Sequence, residues 1–447
     1  MSVFVAEELS EVLNTKVVIG RINMGLLNRI IIDDVLLDDQ SGQEMLKVTR
    51  LSAKFDIMPF FKGKISISSV QLFGFNINLR KETPDSPPNF KFVLDAFASK
   101  DTVKKENSLD LRINSILIRR GRMSYHVLSE EETPGKFNAK HIQLQNIIAN
   151  ISLKALSKDS LNLGIKRLSL DEKASGFSLK KMSLKLVANN KQTNIDNFTI
   201  ELPETSLKLD TIHLEYDSLK AFDRFTEQVH FSFRTLPSQV TLKDISPFVP
   251  ILSHFKEPVT LDMEVKGTVD QLTCSHLEIT ADGRQFRLRG DVSLQDLSRP
   301  QDAYVYGTLS ELSANTRGVG FLVRNLSPNY NGVPPLLERL GNVSFQGEIS
   351  GYFTDLVTYG QLQTSLGNVK TDLKLSSDKT KGLFAYSGAV KTEDFQLGKL
   401  LDNEELGEIT FNLDVHGRHI ADHLPAVELK GLIASIDYSR YRYENIR

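Results

Sequence analysis

A short strand phrase that keeps returning constrains this chain more than any other feature. It has two apolar residues in alternation, two polar ones, then two more apolar in alternation, as in Ile65-Ser66-Ile67-Ser68-Ser69-Val70-Gln71-Leu72. Nine stretches fit it, beginning at Val17, Ile30, Leu46, Ile65, Leu111, Ile142, Leu163, Phe177 and Leu207. They end on Met24, Leu37, Ala53, Leu72, Ile118, Ala149, Leu170, Leu184 and Leu214. Alternation at period two marks a strand with one buried face. The polar pair shifts the parity, because the apolar residues fall at positions one, three, six and eight. A bulge at which two residues oppose one would return both halves to a common face and add twist. One match means little, but nine in the first half, several separated by about a strand and a turn, predict a long antiparallel ladder.

Composition excludes more than it selects. The 447 residues are 40% hydrophobic and carry 54 basic against 56 acidic side chains, a net charge of -2, which disfavours nucleic acid as a partner. The single cysteine, Cys274, rules out an intramolecular disulfide and reads as a small buried strand residue. No apolar run approaches the ~20 residues that span a bilayer. Near the N-terminus, Val5, Leu9, Val12 and Leu13 share a helical face, so residues 1–15 read as a short amphipathic helix. A signal peptide's basic region and cleavage site are missing there. The expectation is a cytoplasmic chain or a targeting segment lying upstream, and the aromatic run Tyr438 to Tyr443 so near the end predicts truncation at the C-terminus too.

Along the chain, residues 16–242 read as a first β segment. The breaker cluster Thr83-Pro84-Asp85-Ser86-Pro87-Pro88 interrupts it, and Asn89 is placed to cap a short helix carrying Phe92, Val93, Ala96 and Phe97. Leu109 to Val127 then repeats the logic of residues 63–79, and Glu130-Glu131-Glu132-Thr133-Pro134-Gly135 reads as a solvated hairpin tip with no metal. Residues 243–447 carry a longer repeat, a short helix followed by alternating apolar residues running into glycine. Its copies are Asp244 to Phe255 before Leu261, Met263, Val265 and Gly267; Pro334 to Leu340 before Val343, Phe345, Gly347, Ile349 and Gly351; and Phe395 to Leu401 before Ile409 to Gly417. Repeats of this kind stack along an axis.

The phrases Val343-Ser344-Phe345-Gln346-Gly347-Glu348-Ile349-Ser350-Gly351-Tyr352-Phe353-Thr354-Asp355-Leu356, and Val17 to Leu37 followed by Asp38-Asp39-Gln40-Ser41-Gly42, resemble the TamB branch of the AsmA-like superfamily. What the resemblance implies is an envelope protein of Gram-negative bacteria. Its inner-membrane anchor would precede a long periplasmic β-groove that carries phospholipid towards the outer membrane, in some members with an outer-membrane barrel partner. The chain departs from that layout at both ends, without the N-terminal membrane helix and without the far C-terminal domain.

The expected fold class is therefore mainly β: an elongated, twisted antiparallel repeat sheet curled into a hydrophobic groove, with a few short helices. On the order of twenty strands with one apolar face need that face covered, and four short helices are too few. Candidates for the lining are Ile65, Ile67, Val70, Leu72, Leu111, Ile113, Ile116, Ile118, Leu207, Leu209, Ile212, Leu214, Leu261, Met263, Val265, Phe345 and Ile349. Burying two acyl chains at about 0.8 kcal/mol per methylene removes a barrier on the order of 20 kcal/mol.

Catalytic constellations are thin. His416, His419 and His423 cluster locally, but His416 and His419 would point to opposite strand faces. Gly318-Val319-Gly320 lacks the third glycine of a dinucleotide loop, and Arg119-Arg120-Gly121-Arg122 reads as a solvated hairpin tip or a patch for lipid headgroups. No enzyme, cofactor or metal is expected. The reading is a phospholipid conduit, and its alternative is an envelope assembly module that receives outer-membrane strands by edge pairing.

Overall fold

The computed structural model describes residues 2–26, 28–55, 67–97, 113–156, 160–299, 302–326, 333–378, 383–420 and 426–446. The protein is mainly β, with 24 strands and six short α-helices among those residues. It forms two compact units, one of residues 1–213 with 242–253 and the other of residues 214–241 with 254–447.

The first unit contains β1 (Val17–Gly25), β2 (Arg29–Asp38), β3 (Glu44–Phe55), β4 (Ile67–Lys81) and β5 (Ile113–Val127). It continues with β6 (His141–Leu156), β7 (Ser160–Glu172), β8 (Ser178–Asn189), β9 (Gln192–Glu201) and β10 (Ser206–Lys208). Each strand pairs antiparallel with the next except β4 and β5, which run parallel with Val70 beside Ile116 and Leu72 beside Ile118. The ladder is antiparallel as expected, with this one parallel pair departing from it in the first unit. A parallel pair needs a long crossover, which residues 82–112 supply, and it sets two copies of the phrase side by side.

The parity shift is met in two ways. From β1 to β4 every strand changes parity at the same level, so the register crosses the polar pair without an inserted residue. Left-handed residues make the step: Asp34 at φ 55° beside Gly20, and Gly74 at φ 63° beside Thr49. Further on, Arg120, Asn146 and Asn197 are also left-handed, and the expected bulges appear in the β5–β6, β6–β7, β7–β8 and β8–β9 pairings. Arg119 to Arg122 thus lie within β5, not at a hairpin tip, and the Arg120 guanidinium sits 5.1 Å from the centre of the Phe73 ring. The last phrase, Leu207 to Leu214, is divided at Asp210-Thr211 between β10 and β11 (Ile212–Glu215).

Helix α1 (Ser2–Leu13) buries Ala6 and Leu13 on Val17, Ile19, Leu37 and Met45, with Val5 and Leu9 beside them, while Val12 is exposed. Phe90 and the Phe92 and Val93 side chains of α2 (Lys91–Phe97) join the same cluster. Asn89 does not cap α2. Its Oδ1 accepts from the Arg80 backbone at 3.0 Å, and its Nδ2 donates to Asp39 Oδ2 and to the Asn78 carbonyl, both at 3.1 Å. The predicted helix at Asp244 to Phe255 is instead two 3-10 turns, Leu242–Ile245 and Pro250–His254, and Phe248 packs its ring on Phe137 and Phe177.

In the second unit, helix α3 (Phe225–Gln228) is a single turn, and β12 (His230–Arg234) and β13 (Ser238–Val240) both pair with β14 (Val259–Gly267). An antiparallel meander follows through β15 (Gln271–Ala281), β16 (Phe286–Gln295), β17 (Tyr304–Ala314), β18 (Val343–Tyr352) and β19 (Asp355–Thr364). It ends with β20 (Gly367–Asp378), β21 (Leu383–Gln396), β22 (Leu406–Ile420), β23 (Ala426–Tyr438) and β24 (Tyr441–Ile446). Helices α4 (Thr316–Leu326), α5 (Pro335–Arg339) and α6 (Leu397–Leu401) connect strands at one end of this meander. α4 packs into a buried cluster around Phe286 and Phe321, and α6, with Leu340 just after α5, into one around Leu366 and Phe395. α4 was not expected, since Gly318 and Gly320 are weak helix formers; the Asn315 Oδ1 accepting from the Gly318 backbone at 3.0 Å starts it.

Candidate functional site

Strand pairing turns the alternating phrase into rows that cross the sheet. In the first unit one residue from each of ten strands lines up: Ile22, Ile32, Leu51, Leu72, Ile118, Ala149, Leu168, Met182, Ile200 and Leu207. Every member is apolar. A parallel row runs Met24, Ile30, Ala53, Val70, Ile116, Ile151, Ile165 and Leu184, and a third runs Ile113, Leu153, Leu163, Leu186 and Ile195. With strands about 4.8 Å apart, a ten-strand row is roughly 43 Å long measured along the sheet. The left-handed seam is what makes these rows share a face with Val17, Leu37 and Leu46 beyond the polar pair.

The second unit builds the same surface from a different repeat. Leu261, Ile279, Leu288, Leu312, Phe345, Leu362, Val369, Thr392, Phe411, Ile433 and Ile446 form one row across β14 to β24. Its one polar member, Thr392, is buried and donates its hydroxyl to the Asn368 carbonyl at 2.6 Å, so no open donor interrupts the row. A second row on that face holds Val265, Cys274, Val292, Gly307, Ile349, Thr358, Leu373, Gly388, Val415 and Leu429. Between them runs a row in the order Gly290, Leu309, Gly347, Gly360, Thr371, Val390, Leu413 and Gly431. The Phe345 ring lies along this glycine line, close enough that a Cβ on Gly360 would stand 2.7 Å from its Cζ.

Exposure separates this lane from an ordinary core. Ile67, Val70, Leu72, Ile116, Ile118, Leu207, Ile212, Leu214, Leu261, Met263, Phe345 and Ile349 are all half-buried, whereas Ile113, Leu209 and Val265 are buried. Ile65 and Leu111 lie outside the described residues. A second layer packed on the lane would take most of these side chains out of water altogether. Among the described residues, helices cover α1's end of the first sheet and the α4 to α6 end of the second, where Ile279, Leu288, Leu312, Val369, Phe411 and Ile433 of the eleven-strand row pack on buried clusters, whereas the rows of Val70 and Val265 join none of these clusters. Three candidates do join local cores: Leu72 and Ile118 pack on Val48, Phe75 and Ile147, and Leu214 packs on Tyr216, Ala221 and Val229.

The two faces differ in charge. On the second sheet's other face Arg289 pairs with Glu278 at 3.1 Å and with Glu311 at 3.9 Å, and Arg287 reaches Glu278 at 3.4 Å. In the first unit Arg50 donates to Asp33 at 2.6 Å, a bond that lowers the Asp33 pKa even though partial burial opposes it. On the lane side the one titratable member of these rows is Cys274, whose thiol is pushed up to about 11, first by burial and then by the Asp291 charge. It stays protonated at neutral pH, and the lane presents no charge. His416 stands opposite Glu428 on the polar face, and His423 lies outside the described residues. Chemically the lane can shelter apolar chains and exclude ions. Sequence reasoning found its strands but missed the glycine line, whose signal is the pairing of Gly347 with Gly360. Searches of protein families, curated proteins and solved structures returned no match to this chain.

Proposed function

We propose that this protein is a phospholipid conduit whose two apolar lanes shelter acyl chains while headgroups stay in water at the strand ends. One observation carries the reading: long rows, eight to eleven strands wide, whose members are mostly apolar and mostly half-buried. Apolar surface of that extent on a soluble sheet calls for an occupant, and a chain of methylenes fits a lane of Ile, Leu and Val better than any polar ligand. The work requires no catalytic residue and no cofactor. Following the resemblance in sequence, we place the conduit in the periplasm between inner and outer membranes, with an anchor and an outer-membrane barrel partner supplied outside the described residues.

The test is native mass spectrometry, with lipid extraction, of the protein purified from a bacterial host under mild conditions. We expect several phospholipids per chain and fewer in Val70→Asp and Ile116→Asp, which place a carboxylate at adjacent points of one row. Circular dichroism should show both variants folded, because these side chains retain contact with water. A folded, lipid-free wild type would sink the proposal, and unfolding of both variants would make these positions closed core. Strand acceptance at a sheet edge is the second reading, favoured by β24, whose six residues are all exposed. It predicts binding of extended outer-membrane peptides by a lipid-free protein.

A further inference from the structure

On the polar face of the first sheet, the β5–β6 connection brings together His126, Glu132 and His141, with one ligand-type atom of each within 4.8 Å of the others. We infer that these three side chains form a binding site for a divalent first-row cation of the zinc class, completed by water. The sequence reading took this loop for a solvated acidic tip, because the two histidines lie outside the acidic run and become neighbours only through the strand register, His126 opposite His141.

Three features make the cluster more than a chance meeting. The two Nδ1 atoms are 3.1 Å apart, close to the edge of about 3.3 Å expected for a tetrahedron with metal–nitrogen bonds of ~2.0–2.1 Å. His141 Nε2 lies 2.9 Å from the Glu130 carbonyl. A carbonyl only accepts, so Nε2 carries the proton and Nδ1 presents its lone pair, the arrangement by which metal-bound histidines are oriented. His141 is 6% exposed, so its ring is fixed by packing, while Glu132 Oε1 stands 3.9 Å from His126 Nδ1 on an exposed side chain free to turn inward.

The loop is held in place without a metal. Asn138 donates to the Glu131 carbonyl at 3.1 Å, Lys140 Nζ pairs with Glu130 at 2.7 Å, and the Gly135 and Phe137 backbones donate to the Ala174 and Pro247 carbonyls at 2.9 and 2.8 Å. Pre-arranged ligands of this kind lose little freedom on binding. Two imidazoles and one carboxylate favour a borderline cation over Mg²⁺ or Ca²⁺, which take all-oxygen sets. The bound cation would tie the end of β5, the start of β6 and their connection together.

The experiment titrates the full chain, stripped with chelator, with ZnCl₂ by calorimetry and with CoCl₂ by visible absorption. We expect one cation per chain and a tetrahedral Co²⁺ spectrum displaced by Zn²⁺. His126→Asn, at a half-buried ring, and Glu132→Gln, at an exposed side chain, should weaken binding at least about tenfold, the lower bound seen even for groups that only orient ligands. Circular dichroism verifies that each variant is folded. No uptake by the wild type at about a hundred micromolar Zn²⁺, a concentration adequate for sites far weaker than structural zinc, would overturn the site. So would uptake unchanged in both variants, which would place the cation elsewhere.

Discussion

Gly360 shows how tightly the lane is drawn at single residues. A Cβ there would stand 2.4 Å from the Gln346 carbonyl oxygen as well as 2.7 Å from the Phe345 ring, so backbone must move as well as side chain. Gly360→Ala should therefore destabilise the second unit by about 1–3 kcal/mol, the usual cost of overpacking. Gly307, in a neighbouring row, has its nearest contact at 3.4 Å from Val292 Cγ2, and Gly307→Ala should be near neutral. Urea unfolding of the pair decides; equal effects would mean the glycine line is not shaped by the ring. Asp39 is the corresponding polar position in the first unit, accepting from Ser41, the Gln43 backbone, Arg80 at 2.7 Å and Asn89 at 3.1 Å while 2% exposed. Desolvation pushes its pKa up, but hydrogen bonds from Ser41, Asn89 and the Gln43 and Ser41 backbones outweigh it, and the net shift is downward from 3.8. A depressed carboxylate stabilises the fold fully above its unfolded pKa, and that contribution fades as pH falls through the lower folded value. Asp39→Asn should cost about 2–3 kcal/mol at pH 7, below the ~3–5 of a fully buried pair because Arg80 keeps part of its side chain in water. The gap between variant and wild type should narrow as pH falls below 3.8 in denaturant unfolding, and a gap that does not change with pH would assign the cost to packing.

Elements differ in how much of themselves they write into the sequence. The strands were legible because period-two alternation is local, and Val17 to Met24 carries its whole pattern in eight residues. The parallel pairing of β4 with β5 was not, since pairing depends on where residues 82–112 bring the chain back. Arg119 to Arg122 looked like a tip because three arginines and a glycine match turn chemistry; only the left-handed Arg120 within a long strand explains their place. α4 hid behind Gly318 and Gly320, yet buries Val319 and Phe321 on Phe286, so packing overrides the weak propensity of its glycines. Asp244 to Phe255 erred the other way: a proline near a first turn suggested a helix where Phe248 needed to reach Phe137 and Phe177. The apolar lane itself was half legible. Its residue types are in the phrase, but which of them align across strands follows from register, which no single stretch contains.

At the scale of the molecule, two different repeats converge on one kind of surface. The first unit uses a parity-shifted phrase and a left-handed seam, and the second uses plain alternation with glycines and a few bulges, yet each presents long apolar rows with charge on the opposite face. That convergence is hard to explain by stability alone, because a sheet gains more from closing over its apolar face than from leaving it half in water. If each lane is loaded in its own right, Val70→Asp should empty the first unit's share of lipid and Leu373→Asp, in the Val265 row, the second's. Each carboxylate puts an unpaired charge where an acyl chain would otherwise be buried, a cost of several kcal/mol. Native mass spectra of the single variants should then show intermediate lipid counts, and the double variant should fall to background. A single substitution that empties the whole protein would instead mean that the two lanes fill as one cooperative track. Counts unmoved by either charge, in folded protein, would mean that lipid sits somewhere other than these rows, and the half-buried lane would need another occupant.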